Sequence, residues 1–191
     1  MNTANKFTIA RIVLVPLFLF FIYFDIIPYN YFWAALVFII ASITDWADGH
    51  IARKNKLVTN FGKFLDPIAD KILVISALIC FIDLNFAHSV SVIIVITREF
   101  IVSGIRLLSL SVGGVAVSAN WWGKVKTALQ MIGIIAVLIA YEFGKTVLMN
   151  DAFAESVARA SNIYMLVLAV YTLISGMTYV IQNKEIIFKD M

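Results

Sequence analysis

Cysteine, histidine, proline and charged residues are all scarce in this sequence. Among 191 residues there are one cysteine (Cys80), two histidines and three prolines. A single cysteine excludes both a disulfide framework within the chain and a cysteine-rich metal site. Charged residues make up 14% and hydrophobic residues 62%, whereas a soluble globular domain is about a quarter charged and half apolar. The composition therefore excludes an ordinary soluble domain and predicts a chain that faces lipid.

Six long apolar segments are present instead, at 7–27, 30–52, 66–84, 88–110, 124–143 and 160–182. Crossing a bilayer takes about 20 residues, and a backbone in lipid must pair its polar groups, as a helix does. The segments predict an all-α, six-helix integral membrane bundle that forms one domain over residues 1–191. Pro67 is expected in the first turn of the third helix, with Asp66 as its N-cap. Between the last two segments, an interfacial helix is expected within 142–159.

The distribution of lysine and arginine predicts the orientation. Six crossings place both termini on the same side of the membrane. Nearly all the lysines and arginines fall on that side, which leaves only Lys145 and Arg159 on the other. Because cytoplasmic segments carry an excess of these residues, we expect a multi-pass protein with both termini in the cytoplasm.

Four aspartates cluster around the connection between the second and third segments: Asp45, Asp48, Asp66 and Asp70. On a helix, the first two share a face with the small residues Gly49 and Ala52, and the last two share a face one turn apart. Ionisable groups near the membrane are costly unless they face a cavity and find a partner. Oxygen ligands without histidine or cysteine suit Mg²⁺, Mn²⁺ or Ca²⁺. The pattern therefore predicts a divalent metal site, in which two ions about 3.5–4 Å apart would suit phosphoryl chemistry.

The same segment fits the pattern D-x2-D-G-x2-A-R-x8-G-x3-D-x3-D, in which every fixed position is filled from Asp45 to Asp70. In this pattern the chain resembles the CDP-alcohol phosphatidyltransferases. The resemblance implies a six-helix membrane fold, usually a homodimer, with an active-site cavity that faces the cytoplasm. It implies that Asp45, Asp48 and Asp66 bind metal and that Asp70 both touches metal and acts as general base. From the ligand chemistry, we expect the metal to be two ions of Mg²⁺ or Mn²⁺. We assign binding of the nucleotide and of CDP-diacylglycerol to Asn5, Thr8, Asp45, Gly49, Ala52 and Arg53.

Three further segments narrow the acceptor alcohol. The residues Asn5-x2-Thr8-x2-Arg11, Thr97–Arg106 and Gly123–Thr127 resemble the branch of the family whose acceptor is sn-glycerol 3-phosphate. The enzymes of this branch release phosphatidylglycerophosphate and CMP. The resemblance therefore implies that this chain lies in a bacterial cell membrane.

A phosphorylated acceptor needs cations, and arginine binds phosphate at two points whereas lysine supplies a point charge. Arg98 and Arg106 share a helix face two turns apart. Glu99, which is adjacent to Arg98, is not expected to face it on a helix, but Glu99 and Arg106 are seven apart and could share a network. We assign binding of the acceptor phosphate to Arg98, Arg106, Lys124, Lys126 and Lys63.

Other functions remain open from the residues alone. The nearest is a phosphatidyltransferase of the same family that uses serine, inositol or another alcohol. An intramembrane prenyltransferase also uses aspartate-rich motifs, but the pattern of Gly49, Ala52 and Arg53 argues against it. A cation transporter would often show inverted repeats, and we find none. No nucleic-acid partner is expected. Release of CMP from CDP-diacylglycerol, tested against a panel of acceptors, separates these functions.

Overall fold

The computed structural model describes the backbone of residues 3–55, 60–113 and 121–184, and the side chains of residues 11–44, 71–107, 109 and 121–184. Within these ranges the chain forms six α-helices and one short π-helical segment, and no strand. The helices are α1 (Thr3–Tyr23), α2 (Asn30–Asn55), α3 (Asn60–Asp83), α4 (Ser89–Gly113), α5 (Trp121–Glu142) and α6 (Asp151–Gln182). The π-helical segment is Phe143–Val147. The predicted all-α fold of six helices is therefore confirmed.

The second helix is longer than its apolar run. Its fully apolar sequence ends at Ile43, but α2 continues to Asn55. The positions of Asp45 and Asp48 therefore lie inside one unbroken helix, as predicted, and a separation of three residues places them on the same face.

The third helix begins earlier than expected. It starts at Asn60, seven positions before Pro67, so the prediction of Pro67 in the first turn and Asp66 as N-cap is wrong. Proline is favoured in a first turn because it lacks an N–H group. An interior proline removes one hydrogen bond without necessarily ending the helix, and Pro16 inside α1 is another example in this chain.

No separate interfacial helix forms within 142–159. The chain passes from α5 into the π-helical segment, and α6 begins at Asp151. The side chain of Asn150 accepts a hydrogen bond from the N–H of Phe153 at 3.1 Å, and Asp151 suits the positive end of the helix. The prediction is wrong because capping residues, and not the start of the apolar run, set where α6 begins.

The helices pack around one main core. The helix α1 packs against α2 and α3, α2 packs against α5, and α6 packs against α4 and α5. Large side chains fill the centre, among them Phe18, Phe38, Phe81, Ile134 and Leu138. Each of these is at most 1% exposed, so the centre of the bundle is apolar.

Polar contacts join the helices at one end of the bundle. The hydroxyl of Tyr23 donates to Oδ2 of Asp83 at 2.9 Å, which ties the end of α1 to the end of α3. The N–H of Tyr31 donates to Oε2 of Glu142 at 3.0 Å, which ties the start of α2 to the end of α5. The site described below lies toward the opposite end.

The outer surface of the described helices is apolar over large areas. On α6, for example, Ile163 is 66% exposed, Val167 62% and Met177 63%. Exposed apolar patches of this kind mark membrane or partner surfaces rather than a monomer in water. By length and composition, the stretches Trp121–Val147 and Asp151–Gln182 qualify as candidate membrane spans among the described residues.

Candidate functional site

One carboxylate, that of Glu99 on α4, joins three helices. Its Oε1 lies 2.5 Å from Nζ of Lys126 on α5 and 3.0 Å from Nη1 of Arg98, and its Oε2 lies 4.0 Å from Nζ of Lys71 on α3. Lys126 is 1% exposed and Arg98 7%, so these charges are largely withdrawn from water and interact strongly. We call Lys71, Arg98, Glu99 and Lys126 the charge cluster. Since one carboxylate faces three cations, the cluster is positive.

The contact between Arg98 and Glu99 corrects the expectation that these neighbours cannot face each other. The rule concerns the directions in which adjacent side chains leave a helix, and the long arginine side chain bends back far enough to reach the carboxylate. Its Nη2 also donates to Oγ of Ser175 on α6 at 3.1 Å. A Cβ placed on Gly176 would lie 2.8 Å from Cγ of Arg98. The absence of a side chain at Gly176 therefore leaves space for the side chain of Arg98.

A cavity of about 490 Å³ lies between α3, α4 and α5, beside the charge cluster. Four cationic side chains and one carboxylate line it: Lys71, Arg98, Arg106, Lys124 and Glu99. Much of the remaining lining is apolar, including Val74, Leu78, Val95 and Met131. The arrangement suits a small ligand that carries two negative charges, because its charge would offset most of the excess.

Arg106 reaches the cavity from a fixed position. Its guanidinium carbon lies 5.7 Å from the ring centroid of Tyr179 on α6, and Tyr179 is 1% exposed. A cation over an aromatic ring within about 6 Å is attracted by the ring. No contact between Arg106 and Glu99 is present among the described side chains, so Tyr179, and not the charge cluster, supports Arg106.

The residues assigned to the acceptor phosphate divide into three groups. Arg98, Arg106 and Lys124 line the cavity. Lys126 is not among the lining residues, because its ammonium is buried against Glu99. The side chain of Lys63 lies outside the described residues.

The predicted metal and nucleotide residues fall where the structure describes only the backbone. This holds for the side chains of Asn5, Thr8, Asp45, Asp48, Gly49, Ala52, Arg53, Asp66 and Asp70. Among the side chains that are described, no group of three or more potential metal ligands occurs. The uninterrupted helix α3 places Asp70 one turn before Val74, which lines the cavity. By helical register, Asp66 and Asp70 lie on the face that continues into this wall.

The donor chemistry and register of these positions fit a divalent metal. Carboxylate oxygens are the ligands that Mg²⁺ and Mn²⁺ prefer. Because α2 and α3 are continuous, Asp45 and Asp48 share one face of α2, and Asp66 and Asp70 share one face of α3. Two pairs of carboxylates on two helices are a suitable donor set for such ions.

Three residues that sequence reasoning did not select stand beside the site: Lys71, Gln130 and Tyr179. Lys71 directly follows Asp70, and Gln130 lies one turn after Lys126 in an apolar helix. Both positions could have been selected as polar residues inside apolar segments. Tyr179 carries no such signal, because an aromatic residue in an apolar helix is ordinary.

Comparisons with known proteins were consistent with one another. The profile of the family described as CDP-alcohol phosphatidyltransferase matches residues 1–177. The chain is 41% identical over 195 residues to a protein of Bacillus subtilis named CDP-diacylglycerol–glycerol-3-phosphate 3-phosphatidyltransferase, with 96% of each chain covered. A protein of that name from Rickettsia bellii is 37% identical, with 93% of each covered. Another from Haemophilus influenzae is 40% identical, with 70% of this chain and 74% of the relative covered.

Proposed function

The chain belongs to the CDP-alcohol phosphatidyltransferase family, and we propose that it transfers the phosphatidyl group of CDP-diacylglycerol to sn-glycerol 3-phosphate. The products are phosphatidylglycerophosphate and CMP. The relatives that share this name match the chain over most of its length, which supports the assignment of both substrates.

The observation that carries the choice of acceptor is the charge of the cavity. Four cations and one carboxylate line it, and Arg98 and Arg106 offer guanidinium groups that can bind phosphate at two points. Serine is a zwitterion and inositol is neutral, so neither would balance this excess. Glycerol 3-phosphate carries up to two negative charges on one phosphate group, which suits a cavity with a cationic wall.

The metal site belongs to the same proposal. Asp45, Asp48, Asp66 and Asp70 would hold two Mg²⁺ or Mn²⁺ ions. Such ions, when bound, neutralise charge on a pyrophosphate as the bond to the leaving group breaks. Asp70 is the residue proposed to accept the proton of the attacking acceptor hydroxyl. Asp70 lies one helical turn before Val74, which lines the cavity, and this register supports the role.

The setting is a membrane, with CDP-diacylglycerol supplied from the bilayer. The apolar outer surface and the two candidate spans support this setting. We propose further that all six helices cross, that both termini and the active-site cavity face the cytoplasm, and that the enzyme is a homodimer. An active site near the interface would let the acyl chains stay in lipid while the polar groups react.

The test is an assay of CMP release by the purified protein from CDP-diacylglycerol with sn-glycerol 3-phosphate, glycerol, serine and inositol in parallel. We expect glycerol 3-phosphate to support turnover and the uncharged glycerol to support very little. Preference for serine or inositol would move the chain to another branch of the family. Absence of CMP release with every acceptor would contradict the transferase.

A further inference from the structure

Gln130 is a buried amide in the wall of the cavity. It lies on α5, is 3% exposed and lines the space beside the charge cluster. Its side-chain nitrogen, Nε2, has no hydrogen-bond partner in the part of the chain that the structure describes. An unsatisfied buried donor lowers stability unless a water molecule or a ligand in the cavity accepts its hydrogen bond.

The other uncharged polar side chains of the cavity wall are already engaged. The hydroxyl of Ser103 donates to the carbonyl oxygen of Glu99 at 2.6 Å. The hydroxyl of Thr127 donates to the carbonyl oxygen of Gly123 at 3.1 Å. Both use their one donor within their own helix. Among the uncharged lining residues that are described, Gln130 alone has a side-chain donor without such a bond.

The position of Gln130 relates it to one part of the acceptor. It lines the same cavity of about 490 Å³ as Arg98, Arg106 and Lys124, whose cations form the charged wall. In a three-carbon acceptor, the hydroxyl groups lie within about one helical turn of the phosphate. A ligand whose phosphate contacts the cationic wall can therefore extend a hydroxyl to Gln130.

The chemistry of an amide decides which hydroxyl this is. An amide both donates and accepts hydrogen bonds, as a hydroxyl does, but it is not a base and cannot take the proton of the attacking group. The reacting hydroxyl is assigned to Asp70. We propose that Gln130 is a specificity-determining residue, which binds the non-reacting C2 hydroxyl of the acceptor. This inference rests on the proposed function, because it takes glycerol 3-phosphate as the acceptor.

The experiment compares two acceptors that differ only in the C2 hydroxyl, namely sn-glycerol 3-phosphate and 3-hydroxypropyl phosphate. Each is tested with the full-length wild-type enzyme and with Gln130→Met, which keeps the size of the side chain but removes its donor and carbonyl. The wild-type enzyme is expected to favour glycerol 3-phosphate in kcat/KM by about tenfold or more. In Gln130→Met the ratio is expected to fall to within about threefold of unity, mainly through lost activity with glycerol 3-phosphate.

A purely structural role would lower activity with both acceptors and leave the ratio unchanged, and that result would overturn the inference. Gln130→Asn keeps the amide but shortens its reach, so an intermediate ratio is expected, and a ratio equal to that of the wild type would count against the inference. If one of these variants folds poorly, the other still tests the inference. If the wild-type enzyme uses neither phosphorylated acceptor, the proposed function fails; if it prefers glycerol 3-phosphate and both variants keep that preference, only the role of Gln130 fails.

Discussion

The cations of the site differ in what holds them in place. Arg106 is supported by the ring of Tyr179, whereas Lys126 and Arg98 depend on the carboxylate of Glu99. The aromatic ring leaves the charge of Arg106 available to a ligand, whereas the carboxylate of Glu99 neutralises much of the charge of Lys126. Residues of the same sign in one cavity wall are therefore expected to respond differently to substitution.

Replacement of Arg106 by alanine is expected to raise the KM for glycerol 3-phosphate much more than that for CDP-diacylglycerol. Loss of a charge-assisted phosphate contact costs about 1.5–3 kcal/mol, or roughly tenfold to hundredfold in binding. Arg106→Lys should restore only part of the loss, because lysine cannot form the planar two-point contact. The control is Arg159→Ala, an exposed arginine that pairs with Glu155. Equal increases for both substrates in Arg106→Ala would contradict this placement of the acceptor.

Glu99→Gln is expected to lower the melting temperature of the detergent-purified protein substantially. Breaking a buried ion pair by removing one partner costs about 3–5 kcal/mol, and Lys126 would lose its carboxylate while 1% exposed. Combining Glu99→Gln with Lys126→Met should recover part of the loss, since the unpaired charge is then removed.

The matched control for this change is Glu155→Gln. Glu155 pairs with Arg159 at 3.3 Å on the surface, where both side chains are more than 70% exposed, and such pairs contribute about 0–1 kcal/mol. If the two glutamate substitutions lower the melting temperature equally, the charge cluster is not the stabilising element described above.

From the sequence, Arg98, Arg106 and Lys124 could be selected as candidate phosphate ligands, and all three line the cavity. The ion pairs within the charge cluster could not be predicted in the same way. Spacing rules describe where side chains leave one helix, and they predict that Arg98 and Glu99 diverge. The observed pairing depends on Ser175 and Gly176 of α6 and on Lys126 of α5. Contacts between residues so far apart in sequence cannot be read from the spacing within one segment.

At the scale of the helix, apolar runs predicted all six elements, and they misplaced the starts of α3 and α6 by six residues or more. Hydropathy locates the part of a helix that is apolar, whereas a helix forms wherever its backbone bonds and caps are satisfied. Asn150 therefore sets the start of α6, and α3 extends from Asn60 through Pro67. The helices α2 and α3 run without a break through all four aspartate positions, so the expected helical register is present there, and the metal site itself stays a prediction.

Packing between α4 and α6 predicts that alanine substitutions at Gly176 and Gly104 have different effects on KM. In Gly176→Ala the new Cβ would lie 2.8 Å from Cγ of Arg98, whose guanidinium is bound to both Glu99 and Ser175. The resulting side-chain distortion costs about 0.5–1.5 kcal/mol, so KM for glycerol 3-phosphate should rise by up to about tenfold. In Gly104→Ala the Cβ meets nothing within 4 Å, and KM should not change. A similar KM in both variants would contradict the fixed path of Arg98.

The aspartates carried by α2 and α3 predict dependence on a divalent ion. Removal of metal with EDTA should abolish CMP release, and Mg²⁺ or Mn²⁺ should restore it. Asp70→Asn should lose turnover while binding of CDP-diacylglycerol is retained in part, because the proposed base is removed but three carboxylates remain. Full activity after exhaustive chelation would exclude the metal site, and near wild-type turnover of Asp70→Asn would exclude this base.

For the whole molecule, the orientation can be tested with single cysteines on a Cys80→Ala background. A cysteine in place of Lys145, which is exposed, should react with a membrane-impermeant maleimide on intact cells. A cysteine in place of Lys184 should react only after permeabilisation, because excess lysine and arginine mark the cytoplasmic side. The reverse pattern would place the C-terminus outside and, with six crossings, the N-terminus as well. Cys80 itself is buried, so its removal serves only to eliminate slow background labelling.

The apolar outer surface also determines how this chain can change over evolutionary time. Outward residues of α6 such as Ile163 and Val167 are largely exposed, and a lipid environment accepts any apolar side chain of similar size. Inward residues such as Ser175 and Gly176 have specific partners. Related chains are therefore expected to diverge quickly on the outward stripe, through exchanges among leucine, isoleucine, valine and phenylalanine. Along the same helix, the inward residues are expected to diverge slowly, because their contacts set the geometry of the cavity.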